Sequence, residues 1–180
     1  MGKIWKLVLM GVIAIILVMF FMGLGRDTKK IPTPLTKKPA PELVGPSLKG
    51  EKTINLKDQA GKWVLVNFWG SWCAACISEH PYLIHLGQRV IPNRDDFAVI
   101  GVDYKDTRGR GLGFLARHGD PGYDQIFDPD QKMAINWGIV RAPESYLVSP
   151  EGMIVHKQYG PLYRGWFEEI ALPYIEGKKK

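Results

Sequence analysis

The sequence predicts an α/β domain that follows a single membrane-spanning helix. Residues 7–24 form an uncharged run of 18 residues, and a helix of that length rises about 27 Å, close to the roughly 30 Å of a hydrocarbon core. Two short apolar runs, at 63–69 and 97–102, are typical of strands buried on both faces of a sheet. A segment of helix length separates them, which predicts a right-handed parallel crossover.

Composition and charge limit the possible functions. The 180 residues are 46% apolar and 23% charged, which fits one globular domain with a short extension. The net charge of +6 comes from the two ends, because residues 1–39 carry +6, residues 178–180 carry +3 and the body between them carries −3. The body lacks the basic face that nucleic-acid binding requires, so we expect no nucleic-acid partner.

The N-terminal apolar run favours an uncleaved anchor over a secretory signal peptide. Phe20, Phe21 and Met22 continue the run without a small-residue cleavage site. Basic residues lie on both sides of it, so charge counting leaves its orientation open. The Pro-, Thr- and Lys-rich segment that follows predicts an extended linker. The predicted organisation is a short tail at 1–6, a transmembrane anchor at 7–25, a linker at 26–46, the domain at 47–177 and a basic tail at 178–180.

The second half of the domain predicts shorter elements. Two helical segments are expected at 112–116 and 133–137. Two strands, at 145–148 and 153–156, flank a four-residue hairpin connection. A last helix is expected over 163–175, bent or shortened by its proline.

The two cysteines, Cys73 and Cys76, carry the candidate chemistry. They follow the first buried strand and lie at the start of a helix. Unpaired amides and the helix dipole stabilise an anion there, which favours the thiolate of Cys73. Cys76 lies on the same helix face, so it can form a disulfide with Cys73 or resolve a mixed disulfide with a partner.

Other uses of the cysteine pair are less consistent with the sequence. A structural disulfide across so short a loop would remove little unfolded-state entropy. A zinc site would need four ligands, and Cys73, Cys76 and His80 supply at most three, so we expect no metal. Covalent haem attachment needs His directly after the second cysteine, where the chain has Ile77.

The sequence resembles the thioredoxin superfamily and, within it, the membrane-anchored cytochrome c biogenesis thiol:disulfide oxidoreductases of the CcmG or DsbE type. The resemblance covers residues 40–175 and the anchor, and four stretches carry it: VNFWGSWCAAC at 66–76, Glu79-His80, DYKD at 103–106 and APESYLV at 142–148. It implies a thioredoxin-like three-layer sandwich, with a central mixed sheet and helices on both faces.

The resemblance also implies a substrate-binding site beside the cysteines. In the family pattern Pro143 is a cis-proline that faces the disulfide, and with Ala142 it exposes a backbone edge where a substrate peptide adds as a strand. A trans-proline at a strand start is the alternative. Trp72, directly before Cys73, would contact a partner.

A carboxylate is needed if protons move during the exchange. Asn67 stands where thioredoxin carries a buried Asp on this strand, and Asn cannot titrate. Glu144, which follows the proline, is then the leading candidate for proton exchange with Cys76. A solvent-facing Glu on a strand is the alternative for this residue.

Two departures from the family pattern concern the same site. The dipeptide between the cysteines is Ala74-Ala75, where many relatives have a proline. Arg141 stands where relatives often have glycine. It either lowers the pKa of Cys73, or contacts a peptide, or is simply exposed.

The function that the resemblance implies is reduction of the disulfide of apocytochrome c before haem attachment. The enzyme would be a single-pass protein of the bacterial inner membrane, monomeric, with its catalytic domain in the periplasm. A membrane electron donor of the DsbD or CcdA type would re-reduce it, and no bound cofactor is needed beyond the disulfide of Cys73 and Cys76. The alternatives are a general extracytoplasmic reductase similar to ResA or TlpA, and a copper chaperone similar to the Sco proteins, whose cysteine spacing is wider.

Overall fold

The computed structural model describes residues 2–24 and 35–179. The first of two compact units contains helix α1 (Lys3–Leu24). Its segment Lys3–Met22 is long and apolar enough to cross a membrane, and none of it is buried against other residues. The helix begins four residues before the predicted anchor, and residues 1, 25–34 and 180, which include the first nine residues of the predicted linker, lie outside the described residues.

The second unit is built on a mixed sheet, as predicted. Short strands β1 (Val44–Pro46) and β2 (Thr53–Asn55) pair antiparallel. Within the described residues the main sheet has five strands, β3 (Trp63–Trp69), β4 (Phe97–Tyr104), β5 (Asp124–Asp128), β6 (Glu144–Val148) and β7 (Ile154–Tyr159). Their order is β5-β4-β3-β6-β7, with β3, β4 and β5 parallel and β6 and β7 antiparallel to their neighbours.

Four helices connect and cover the strands of the described domain. They are α2 (Ala74–His85), α3 (Arg108–His118), α4 (Lys132–Asn136) and α5 (Leu172–Ile175). A wider, π-type turn extends α2 over Leu86–Val90, and another precedes α5 over Phe167–Ala171. The last helical region therefore begins at residue 167, four residues later than the sequence predicts.

Alternate residues of β3 enter two separate cores. Val66 and Phe68 pack with Trp137, at the end of α4, on one face of the sheet. Leu65 packs on the other face with Leu83 of α2 and with residues of the C-terminal helical region. Since successive side chains of a strand point to opposite faces, this alternation produces three layers. The predicted three-layer α/β fold is confirmed.

The structure attaches residues 35–46 to the domain, although the sequence assigns them to the linker. Lys37 donates a backbone hydrogen bond to Ile154 O at 2.8 Å, and Ala40 donates one to Gly152 O at 2.8 Å. Leu43 is buried in the first core. Prolines lack an amide donor, but the residues between them keep theirs, so this segment can still pair with the start of β7.

Candidate active site

The cysteine pair lies where β3 ends and α2 begins. Cys73 is the N-cap residue of α2, and its Sγ accepts a hydrogen bond from the Cys76 amide at 3.1 Å. The two residues form a disulfide, with 5.3 Å between their Cα atoms. On reduction, the same amide and the helix N-terminus stabilise a thiolate at Cys73. This geometry can support thiol–disulfide exchange.

The sulfurs are less exposed than the sequence suggests. Cys73 is 5% exposed and Cys76 2%, whereas the neighbouring Trp72 and Ile77 are each 42% exposed. The Trp72 ring folds over Gly70, where a Cβ atom would lie 2.5 Å from Nε1 of the ring. A partner therefore meets an apolar rim before it reaches Cys73.

An aspartate from the DYKD stretch holds the active-site loop. The Asp106 carboxylate accepts a hydrogen bond from the Ser71 amide at 2.7 Å, and the Trp72 indole donates to Tyr104 O at 3.3 Å. Asp103, the penultimate residue of β4, is fully buried. Burial, and then the nearby Asp106 carboxyl, raise the pKa of Asp103 to about 8. The end of β4 thus fixes the loop that carries Cys73.

Glu79 is a buried carboxyl group beside Cys76. It lies one helical turn after Cys76, and the two side chains line the same small cavity. Glu79 Oε1 accepts a hydrogen bond from Asn67 Nδ2 at 3.0 Å, and Oε2 accepts one from the Leu162 amide at 2.7 Å. Burial raises the pKa of Glu79 to about 7, against the lowering effect of these two hydrogen bonds. A carboxyl group with this pKa can exchange protons near neutral pH.

Sequence reasoning did not assign a role to Glu79, although a signal was present. Residues three apart share a helix face, so Cys76 and Glu79 are expected on the same side of α2. The buried acid that thioredoxin carries on its strand is here on the helix, and Asn67 on the strand donates a hydrogen bond to it.

Ala142 and Pro143 directly precede β6. The peptide bond between them is cis, so the trans alternative does not apply. Ala142 packs against the cluster that contains Cys73 and Cys76. Arg141, just before it, is exposed.

Glu144 is buried on the other face of the sheet from Glu79. It is 1% exposed, which excludes the solvent-facing alternative, and its Oε2 lies 2.9 Å from Nζ of Lys157. It is two residues before Tyr146, which belongs to the first core, so both side chains point to that face. Proton exchange between Glu144 and the sulfurs stays a prediction.

His80 has no metal-site geometry. It is 5% exposed, and its Nε2 is 2.7 Å from Gly119 O. No group of three or more His, Cys, Asp or Glu side chains suited to a metal occurs in the part of the chain that the structure describes.

Known proteins resemble this chain over most of its length. The redoxin family model matches residues 35–171. The thiol:disulfide interchange protein DsbE of Allochromatium vinosum is 40% identical over 166 residues, which are 91% of this chain and 89% of that protein. The thiol:disulfide interchange protein HelX of Rhodobacter capsulatus is 37% identical over 164 residues, 87% of this chain and 90% of that protein.

Solved structures share the fold. A secreted thiol-disulfide isomerase from Corynebacterium glutamicum is 28% identical with a TM-score of 0.65, and the match covers 76% of this chain and 85% of that one. A DsbF homologue from Corynebacterium diphtheriae matches with a TM-score of 0.66 at 24% identity, over 85% of this chain and 94% of that one. The chain is therefore a member of the redoxin family, and within it a thiol:disulfide oxidoreductase related to the DsbE proteins.

Proposed function

We propose that the protein reduces the disulfide of apocytochrome c before haem attachment, as a step of cytochrome c maturation. The observation that carries the proposal is the position of Cys73 at the N-cap of α2, with its Sγ bound by the Cys76 amide. The resemblance to the cytochrome c biogenesis oxidoreductases supports the choice of client. The exposed apolar rim formed by Trp72 and Ile77 supports contact with an unfolded polypeptide.

The proposed cycle moves two electrons to the client. The Cys73 thiolate attacks one sulfur of the client disulfide, and a mixed disulfide forms as the second client sulfur leaves as a thiolate. The Cys76 thiolate then attacks the Cys73 sulfur, and the first client sulfur leaves. The client is now a dithiol, and the enzyme holds the Cys73–Cys76 disulfide. The two sulfurs carry the electrons, so the cycle needs no bound cofactor.

We propose that Glu79, rather than Glu144, accepts the proton of Cys76 when that thiol attacks the mixed disulfide. Glu79 and Cys76 line one cavity, and the pKa of Glu79 near 7 matches such a transfer. Trp72, Ala142 and Pro143 form the proposed surface for the client peptide.

The proposed location is the periplasmic side of the bacterial inner membrane, with α1 as a single-pass anchor. A helix of this length and composition supports the anchor. Disulfides persist in an oxidising compartment, and a reductase is required there where a client must keep free thiols. A membrane dithiol donor of the DsbD or CcdA type would return the electrons, and a monomer suffices for the cycle.

Trapping experiments test the client. In C76A the mixed disulfide with Cys73 cannot be resolved, so we expect the full-length variant to retain apocytochrome c covalently in cells. C73A is the matched control and should retain nothing. Capture of many unrelated disulfide proteins, without enrichment of apocytochromes, would instead support a general reductase.

A further inference from the structure

A buried ion pair lies beside the segment that leads to Pro143. Lys157 Nζ is 2.9 Å from Glu144 Oε2, and the two side chains are 4% and 1% exposed. In the pairing of β6 with β7, Tyr146 lies opposite Lys157 and Glu144 lies opposite Tyr159. Glu144 and Lys157 are therefore diagonal neighbours on one face of the sheet.

The ion pair and a neighbouring tyrosine bind the backbone of the preceding segment. Lys157 Nζ donates to Gly138 O at 3.2 Å, and the Val140 amide donates to Glu144 Oε2 at 3.4 Å. The Tyr146 hydroxyl donates to Trp137 O at 2.5 Å. Three side chains of β6 and β7 thus hold residues 137–140 just before the substrate-binding loop.

Stability alone does not explain a charged pair at this place. Apolar residues of similar volume often replace a buried ion pair without loss of stability, because desolvation offsets most of the attraction. Burial by itself would lower the pKa of Lys157, but hydrogen bonds with Tyr146 and Glu144 outweigh it and raise the pKa. Lys157 therefore stays charged at neutral pH and keeps its directed contacts with the segment.

The segment is also open to a partner. Val140 is 66% exposed and Arg141 is exposed, whereas Ala142 packs against the cluster of the two cysteines. A shift of the anchored backbone would therefore move the exposed edge relative to Cys73.

We propose that Lys157, through its ion pair with Glu144, is a positioning residue that holds residues 138–142 in the geometry that binds a substrate peptide beside Cys73. The inference rests on the proposed function. Lys157 is buried and touches neither the peptide nor the sulfurs, so its effect is on peptide binding rather than on thiol chemistry.

The test uses the reduced full-length chain in detergent and an oxidised synthetic peptide with a Cys-x-x-Cys-His disulfide. The peptide concentration is varied to obtain the half-saturating concentration and the maximum rate of reduction. Alkylation of Cys73 by iodoacetamide is measured in parallel, because a small reagent does not need the peptide-binding edge. The variants are K157M, K157R and the double variant E144Q/K157M, in which no unpaired charge is left buried. K132M removes an exposed lysine of α4 and is the control.

We expect K157M and the double variant to raise the half-saturating concentration by about tenfold or more, as small misplacements of binding groups do. The maximum rate and the alkylation rate should stay within about twofold of wild type. K157R, which keeps the cation, should recover most of the peptide binding, and K132M should match wild type.

If the half-saturating peptide concentration of both K157M and the double variant equals that of an active wild-type enzyme, the positioning role is overturned. If K157M and the double variant lose the Cys73 alkylation rate together with peptide binding, and K157R recovers neither, the ion pair only stabilises the fold. That result would also overturn the inference. A wild-type chain that reduces no peptide would overturn the proposed function itself.

Discussion

Asn67 and Glu79 together form the buried polar site behind the disulfide. Asn67 Nδ2 is shared between Glu79 Oε1 and Ser145 Oγ, each at 3.0 Å. An amide on the strand can donate to a carboxyl group on the helix without adding a second charge to the core. This arrangement keeps one titratable group beside Cys76 and leaves its pKa near neutrality.

Replacing Glu79 with Gln should slow resolution of the mixed disulfide. Glutamine keeps the size and one of the two accepted hydrogen bonds but cannot accept a proton, so we expect a loss of roughly 10²-fold at pH 8, the lower end for general base catalysis. In wild type the resolution rate should rise with pH through about 7, and in E79Q this rise should disappear. Rapid-quench measurement of client release from pH 5 to 9 gives both quantities.

Two controls separate Glu79 from other carboxylates. E168Q alters an exposed residue and should keep the wild-type profile. E144Q should also keep the wild-type pH profile if Glu144 holds the peptide-binding segment through Lys157 and takes no proton from Cys76. A rise near pH 7 that survives in E79Q but vanishes in E144Q would restore Glu144 as the proton acceptor.

The sequence predicts the reactive pair well and its buried surroundings poorly. Cys73 and Cys76 follow from local signals, because the end of a buried strand and the start of a helix are both visible in sequence. Lys157 gives no such signal, since its contact with Glu144 depends on the register of β6 with β7. Register is set by the packed sheet and cannot be read from either strand alone.

Helix α2 combines a regular first turn, which carries the cysteines, with an irregular end. Pro81 lies inside it, and a π-type turn follows at Leu86–Val90. Such features bend helices. At this turn Gly87 lies so close to the segment before β5 that an added Cβ atom would be 1.8 Å from Pro121 O.

Replacing Gly87 with Ala should therefore destabilise the domain. The added Cβ atom would clash with the backbone atoms O and C of Pro121, which cannot move easily. We therefore expect a loss of about 1 to 3 kcal/mol or more in the free energy of unfolding. Gly113 of α3 is the matched control, since nothing lies within 4 Å of its added Cβ. G113A should raise stability by roughly 0.5 to 1 kcal/mol. Denaturant titration of the oxidised variants compares them, and equal stabilities for G87A and G113A would contradict the packing argument.

Element types were easier to predict than element bounds. The two buried parallel strands and the hairpin were expected, and β3, β4, β6 and β7 occur there. The segment 35–46 was expected to be a linker because prolines dominate its composition. Its packing depends on Leu43 and on amides that pair with distant residues, and composition does not reveal such contacts.

The stability of the catalytic domain should fall as pH rises above neutrality. The pKa of Asp103 is about 8 in the folded protein and 3.8 as its ordinary value. The folded state therefore holds a proton that the unfolded state releases, and this contribution is lost as pH rises through 8. Between pH 6.5 and 8 we expect Asp103 to account for a loss of about 2 kcal/mol, and Glu79, whose pKa is raised to about 7, adds a smaller loss in the same direction.

Thermal unfolding of the oxidised protein at pH 6.5 and pH 8 measures this loss. D103N cannot ionise and should remove most of the difference, whereas D95N alters an exposed aspartate and should keep it. Burial lowers the pKa values of His80 and His156 from 6.5, so these two groups change stability in the opposite direction, and the difference between wild type and D103N isolates the contribution of Asp103. A D103N protein with the wild-type pH dependence would assign the loss to another group.

The attachment of residues 37–40 to the start of β7 has a consequence for how the enzyme meets its clients. Ile154 and Val148 are paired at the end of the sheet where β3 begins, and Cys73 follows the end where β3 finishes, roughly 20 Å away. The segment at 37–40 thus enters the catalytic domain at the sheet end opposite Cys73. This entry point leaves the surface around Cys73 free for a client, and we expect insertions before residue 35 to leave the rate of thiol–disulfide exchange unchanged.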